Sequence, residues 1–321
     1  MSILTSWLAS PPPDAALELA PDSVAGAVVS ARGAEATVQS FAFEPLPHGA
    51  LVPSLTGQNV MDRQAVVAAI KAVVDRIGRP RKVALVIPDL ATRVSLVRFD
   101  QVPASRDDLD QLIRWQVKKS APFPIEEASL TWTLGSTASA EGGHEFVVAL
   151  ARRDVIREYE SACEGAGLHA GLVDLSTFSV VNCYLAGGRV PTGDWLVVQV
   201  RSDYTSIAIM RGADVIFLRN KGEGEGDALA DLVHQTTMYY QDRLSGQGFT
   251  RVLVGGTGRP GGDLEMARRG LEERLGVPVE TIDPTRVAAL TDRITVTRDV
   301  MARLAPLVGM MLRTRQEPVA V

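Results

Sequence analysis

The chain has 321 residues, 46% of them hydrophobic and 22% charged, with a formal net charge of -5. That length suits two domains with substantial cores, and the mixture is that of a folded protein rather than a disordered one. The acidic balance excludes a sequence-independent nucleic-acid binder, whose phosphate contacts demand a basic face. The nearest thing to a basic cluster, Arg114 with Lys118-Lys119, reads as a solvated helix face.

Two cysteines, Cys163 and Cys183, stand far apart, and His48, His144, His169 and His234 show no ligand spacing. This pattern points to a reducing compartment and against a disulfide framework or a metal centre. The opening MSILTSWLASPPPD has neither the basic start nor the apolar run of a secretory signal. No stretch reaches the roughly 20 apolar residues that span a bilayer. The expectation is a cytoplasmic protein that reaches a membrane through a partner, with Trp7 and Leu8 too few to anchor it.

In chain order, Ala16–Leu19, Val24–Ser30 and Ala36–Phe43 read as three strands joined by turns at Pro21-Asp22 and Arg32-Gly33. A helix is predicted from Asp62 to Ile77, closed by Gly78 and Pro80, followed by the buried strand Lys82–Ile87. Thr92–Phe99 alternates as a strand, Ser105 opens a helix to about Lys119, and Ala121-Pro-Phe-Pro stops it. Ser129–Leu134 and Glu145–Leu150 pair as two more strands. A helix from Arg152 to Ala166, a strand through Leu172-Val173 and a helix from Leu175 complete the first half.

Beyond Gly187-Gly188 the opening pattern recurs. Trp195–Val200, Thr205–Arg211 and Val215–Arg219 form a second three-strand meander, with Arg211-Gly212-Ala213-Asp214 matching Arg32-Gly33-Ala34-Glu35 at the corresponding turn. A helix from Asp227 to Leu244, the strand Arg251–Val254, a helix near Asp263, a final strand and a helix over Arg298–Leu312 follow. Repeated β-β-β-α-β units suggest an internally duplicated α/β architecture.

The run Val102-Pro-Ala-Ser-Arg-Asp-Asp-Leu-Asp-Gln-Leu-Ile-Arg-Trp-Gln-Val-Lys-Lys-Ser-Ala-Pro-Phe-Pro-Ile-Glu-Glu resembles a signature of the type IV pilus assembly PilM family. Supporting likeness covers Ala149–Phe178, the Tyr239-Tyr240 helix and Leu304-Ala-Pro-Leu-Val-Gly. The resemblance implies an actin-like (ribonuclease-H-like) fold related to the cell-division protein FtsA, with duplicated domains and a small inserted α/β subdomain in the first half. The implied division is 1–88 plus 152–190 for the first domain, 89–151 for the insert and 191–321 for the second domain, with a helical subdomain about 225–248.

The same resemblance implies a scaffold beneath the inner membrane that grips the cytoplasmic N-terminal peptide of a PilN-like membrane protein and meets other pilus components. A ring or other homo-oligomer is compatible with it. For the peptide groove, between the first domain and the insert, the insert contributes Val94, Leu96, Arg114, Trp115 and Phe123; read alone, Trp115 and Phe123 serve equally as the insert's own core.

Actin-like ATPases cradle phosphates between two Asp-x-Gly hairpins, glycine admitting backbone N–H groups and the aspartates positioning Mg²⁺. Here Glu18 keeps a carboxylate, but Ala20 stands where glycine is expected, Pro21 has no N–H, Asp22 adds negative charge and Ala25 takes the lysine position. In the second hairpin Gln199 replaces the aspartate and Arg201 replaces the glycine. Hydrolysis is therefore not expected, nor a cofactor, and Arg201 is expected to face solvent. Gly255, Gly256 and Gly258 match the adenosine-side turn, although a tight strand-to-helix connection needs the same glycines.

Two competing readings follow. A nucleotide-dependent switch would bind Mg-ATP despite these losses. A nicotinamide oxidoreductase rests on a lone G-x-G-x-x-G match at Gly256, Gly258 and Gly261, which Pro260 weakens. Within the docking class, a type II secretion component of the same fold is a related possibility, although those resembling GspL continue into a membrane helix.

Overall fold

The computed structural model describes residues 13–32, 35–135, 143–188, 190–222, 229–258, 264–291, 294–295 and 297–316. The expectations that rest on Trp7, Leu8, Gly33, Pro260 and Gly261 lie outside them.

The first sheet begins with a meander of β1 (Ala15–Leu19), β2 (Ser23–Arg32) and β3 (Glu35–Pro45), antiparallel throughout. Helix α1 (Arg63–Ile77) crosses over to β4 (Lys82–Ile87), which lies parallel to β1. Its ends follow local chemistry. Asp62 accepts the Ala65 amide at 2.9 Å as N-cap, and Gly78, at φ 106°, takes the left-handed position that terminates it. Helix α1 packs through Val66, Ile70, Val73 and Ile77 on the same core as Leu17, Leu85 and Ile87.

The chain then leaves this sheet. A 3-10 turn (Asp89–Ala91) leads to β5 (Arg93–Phe99), α2 (Arg106–Lys118), β6 (Ala128–Leu134) and β7 (His144–Arg152). Their sheet has the order β5-β7-β6, all antiparallel. Alternation fixes its two faces. Val97, Phe146 and Val148 meet Leu109, Ile113 and Val117 of α2 in a small core, whereas Val94 packs against the core of the first sheet.

Helix α3 (Arg153–Gly165) returns the chain to β8 (His169–Leu175), parallel to β4, and α4 (Ser176–Leu185) follows. The second sheet repeats this plan with β9 (Asp194–Val200), β10 (Tyr204–Arg211), β11 (Asp214–Gly222), α5 (Leu229–Arg243), β12 (Arg251–Gly255), α6 (Leu264–Leu275) and β13 (Val279–Thr281). Its order is β11-β10-β9-β12-β13. The first sheet runs β14-β3-β2-β1-β4-β8, where β14 (Ala289–Leu290) is a two-residue addition parallel to β3. Setting β14 aside, each sheet is a three-strand meander extended by two parallel strands on the side of its first strand. That shared order is the duplication expected from the sequence.

Helices α4 and α7 (Arg298–Gln316) pack together between the sheets, in a core shared with Ala16, Val86, Trp195 and Leu253. At their crossing, a Cβ on Gly309 would lie 1.8 Å from the Ser179 carbonyl oxygen. Only glycine allows the two backbones to approach this closely. No described helix is long and apolar enough to cross a membrane, and the described residues contain no His/Cys/Asp/Glu cluster fit for a metal ion.

Candidate functional site

The β1–β2 and β9–β10 hairpins face one another across the junction of the two sheets, at the start of α4. The first hairpin closes on itself. Ala20 N–H donates to the Ser23 carbonyl at 2.9 Å, and Ser23 N–H returns the bond to Ala20 at 3.3 Å. With Pro21 lacking an N–H, Asp22 is the one turn residue whose amide is not used this way. In the second hairpin, Arg201 N–H donates to the Tyr204 carbonyl at 2.9 Å.

The side chains between the hairpins form one buried polar cluster. The expectation that Arg201 faces solvent is corrected by the structure, for Arg201 is 1% exposed and ion-paired to Glu18, itself 2% exposed. The same guanidinium donates to Ser176 Oγ, which donates to Glu18 Oε1 at 2.7 Å. With the Gln199 amide oxygen turned toward Arg201, it accepts from Nε and Nη2 at 3.0 Å each. A buried arginine demands such partners, because an uncompensated charge in the interior is far costlier than an exposed one. Burial alone works against the Arg201 charge, but Glu18, Tyr204, Asp22 and Asp89 outweigh it and raise its pKa.

A second carboxylate stands beside the pair. Asp89, fully buried, accepts from the Thr177 amide at 3.0 Å, the Thr177 hydroxyl at 2.7 Å and the Ser206 hydroxyl at 2.8 Å. It thereby satisfies an otherwise orphaned amide at the N-terminus of α4, where the helix dipole favours an anion. Burial pushes its carboxyl above the ordinary value, and the Thr177 and Ser206 hydrogen bonds and the Arg201 charge oppose the rise. Tyr204 OH receives the Asp89 amide at 3.4 Å, and Asn220 donates to the Asp89 carbonyl at 3.3 Å.

Sequence reasoning missed Asp89, Ser176, Thr177, Tyr204 and Ser206. One signal was present: Asp89 follows Pro88 at the end of the buried run KVALVI, where a chain-reversing polar residue near a cleft is expected.

The glycines of the predicted adenosine-side turn have partners inside the chain. Gly256, at φ +98°, would place a Cβ 2.1 Å from the Val200 carbonyl oxygen, which also accepts the Gly258 amide at 3.1 Å. A Cβ on Gly255 would meet Ile282 at 3.3 Å. The turn is thus fitted against the end of β9 and the neighbouring loop.

The five residues nominated on the insert fall on two surfaces. Val94 and Leu96 share the face of β5 opposite α2, half-buried, and Val94 touches the core of the first sheet. Trp115 is 59% exposed on α2, on the side away from the insert's core, with the Lys119 ammonium 4.9 Å from its ring. Arg114 is held to Asp110 at 2.6 Å, and Phe123 is half-buried after the helix ends. Trp115 is therefore not part of the insert's core.

Elsewhere, a cleft of about 540 Å³ opens between the end of α4 and β12–β13, lined among others by Tyr184, Leu253, Arg251, Glu280 and Arg286. Its Arg251 and Glu280 are paired at 3.0 Å. Cys183 at its wall is buried, and burial pushes its thiol up to about 12, which leaves it without thiolate reactivity at neutral pH.

Comparison with known structures and families bears on the whole arrangement. A chain of a solved PilM-PilN type IV pilus biogenesis complex superimposes with a TM-score of 0.81 at 19% identity, covering 95% of this chain and 99% of that one. A protein of actin-like ATPase fold and unknown function from Bacteroides thetaiotaomicron aligns at a TM-score of 0.49 and 10% identity, covering 95% and 98%. The ethanolamine utilization protein EutJ from Carboxydothermus hydrogenoformans aligns at 0.49 and 11%, covering 95% and 90%. The fold is that of the chain from the PilM-PilN complex, with one strand order present twice. The family described as type IV pilus assembly protein PilM matches residues 17–243, well over half of the sequence, and this chain belongs to that family.

Proposed function

We propose that the protein is a non-catalytic scaffold of type IV pilus assembly that docks the cytoplasmic N-terminal peptide of a PilN-like inner-membrane protein. Membership in the PilM family and likeness to a chain from a PilM-PilN complex support the partner. Through that partner the protein would sit peripherally at the inner membrane.

The observation that carries the non-catalytic half is the Glu18–Arg201 pair. Mg²⁺ and nucleotide phosphates need free carboxylates and free backbone N–H groups. Here the Glu18 carboxylate is neutralised by Arg201, and the Ala20, Ser23 and Arg201 amides are spent within their own hairpins. The residues present do not fit a Mg-nucleotide. Phosphate release above a buffer blank, abolished by Glu18→Ala, would overturn this half of the reading.

The docking half draws on two places on the insert. Val94 and Leu96 lie on the sheet face turned toward the first domain, where an extended peptide would meet the body of the protein; Arg114, Trp115 and Phe123 lie around the end of α2. Leu96→Asp, Trp115→Ala and Arg114→Glu separate these contributions in a peptide-binding assay. Each contact surface that belongs to the groove is expected to lose about tenfold in affinity, the effect of removing one anchoring side chain. Unchanged affinity in all three folded variants would remove the insert from the groove.

A further inference from the structure

We infer that Arg201 and Asp89 form a built-in clasp that holds the two halves of the molecule closed without any bound ligand. This goes beyond the docking reading and stands whether or not a peptide binds. The clasp has two arms that meet at the start of α4. In one, Glu18 of β1 takes the guanidinium of Arg201 from the end of β9, with Ser176 of α4 between them and Gln199 of β9 behind. In the other, Asp89 of the turn after β4 holds Thr177 of α4 and Ser206 of β10. Each carboxylate of the first half therefore grips one residue of α4 and one residue of the second half.

The charges explain why this arrangement closes the molecule rather than merely decorating the junction. Two carboxylates share a buried space with one cation and one helix N-terminus. Coulomb attraction is strong in such a low-dielectric site, and across the junction the first half supplies the carboxylate and the second the cation. Separating the sheets would leave Glu18 without its cation and Asp89 without the Ser206 hydroxyl. In an actin-like molecule that bound a nucleotide between its hairpins, the ligand would span this junction; here a side chain of the chain itself spans it. Arg201, standing where the fold's pattern has glycine, is the residue that makes closure permanent.

Native-state hydrogen exchange on the full chain tests the clasp, with Arg201→Gln, Glu18→Gln/Arg201→Gln and Ser206→Ala compared to the parent. In Arg201→Gln, amides of segments 17–24 and 199–206 are expected to exchange at least about tenfold faster, while the centres of β4 and β12 keep their protection. The double variant, with no stranded charge at position 18, is expected to recover part of the global stability but to retain fast exchange at both hairpins. Should Arg201→Gln not fold, Ser206→Ala gives the decisive result by removing one hydroxyl, with faster exchange confined to residues 87–91 and 204–208. Unchanged exchange in whichever folded variant is read overturns the clasp. Loosened hairpins that regain protection on adding Mg-ATP also overturn it, since nucleotide would then be the natural closure. Peptide affinity measured on the same samples is a separate quantity, and its loss or absence bears on the docking reading alone.

Discussion

Arg201 shows how one substitution changes what surrounds it. Placed at the end of β9, its side chain turns inward to Glu18 rather than outward to water. Removing the cation strands a buried carboxylate, and breaking one partner of such a pair costs about 3–5 kcal/mol. Chemical denaturation of Arg201→Gln is expected to show a loss of that order, and Glu18→Met/Arg201→Met a smaller one, because an apolar pair strands no charge at position 18 and Asp89 keeps its Thr177 and Ser206 hydrogen bonds. Gly256→Ala makes a second prediction. Its φ of +98° and the 2.1 Å approach of a Cβ to the Val200 carbonyl oxygen predict a loss of about 2 kcal/mol or more, with no nucleotide present. The residue types at both hairpins were legible, since Ala20, Pro21, Gln199 and Arg201 visibly depart from the phosphate-binding pattern. Their pairing was not, because Glu18 and Arg201 are 183 residues apart in sequence and no local pattern records which way an arginine at a hairpin turns.

Among the elements, the meanders and caps were the most readable. Alternating and continuous apolar runs mark β2, β3, β9 and β10, and Asp62 and Ser105 open helices, and Gly78 closes one, where capping chemistry puts them. What sequence could not place was the two-residue β14, too short for any periodicity, and the crossing of α4 and α7. At that crossing Gly309→Ala forces a methyl group against the Ser179 backbone and is expected to lower the thermal midpoint, overpacking costing about 1–3 kcal/mol. Asp194 joins three elements, accepting from Arg211 Nε and Nη2 at 2.8 Å each and from the Tyr240 hydroxyl at 2.8 Å. The Arg211 hydrogen bonds hold its carboxyl below the ordinary 3.8, with help from Tyr240 and against burial. Its contribution is therefore complete above that unfolded value and lost as pH falls through the lower folded one. Asp194→Asn should cost about 1–3 kcal/mol at pH 7, given the half-exposed Arg211, and progressively less below about pH 4. A difference that grows on acidification would contradict this.

At the scale of the whole molecule, the duplicated β-β-β-α-β pattern is written in the sequence itself, and the repeated strand order β3-β2-β1-β4-β8 and β11-β10-β9-β12-β13 gives it physical form. The insert was legible from its proline-bounded helix, but the separation of its nominated residues onto two faces was not, because it depends on how the β5-β7-β6 sheet leans on the first core. The proposed role is that of a docking scaffold that works without nucleotide. It is tested most directly by calorimetric titration of the protein with a PilN-like N-terminal peptide, in the absence and in the presence of Mg-ATP. The expected result is peptide binding of equal affinity in both, with no heat from Mg-ATP alone. Tight Mg-ATP binding, or peptide binding that requires it, would contradict the account and make the protein a nucleotide-driven switch.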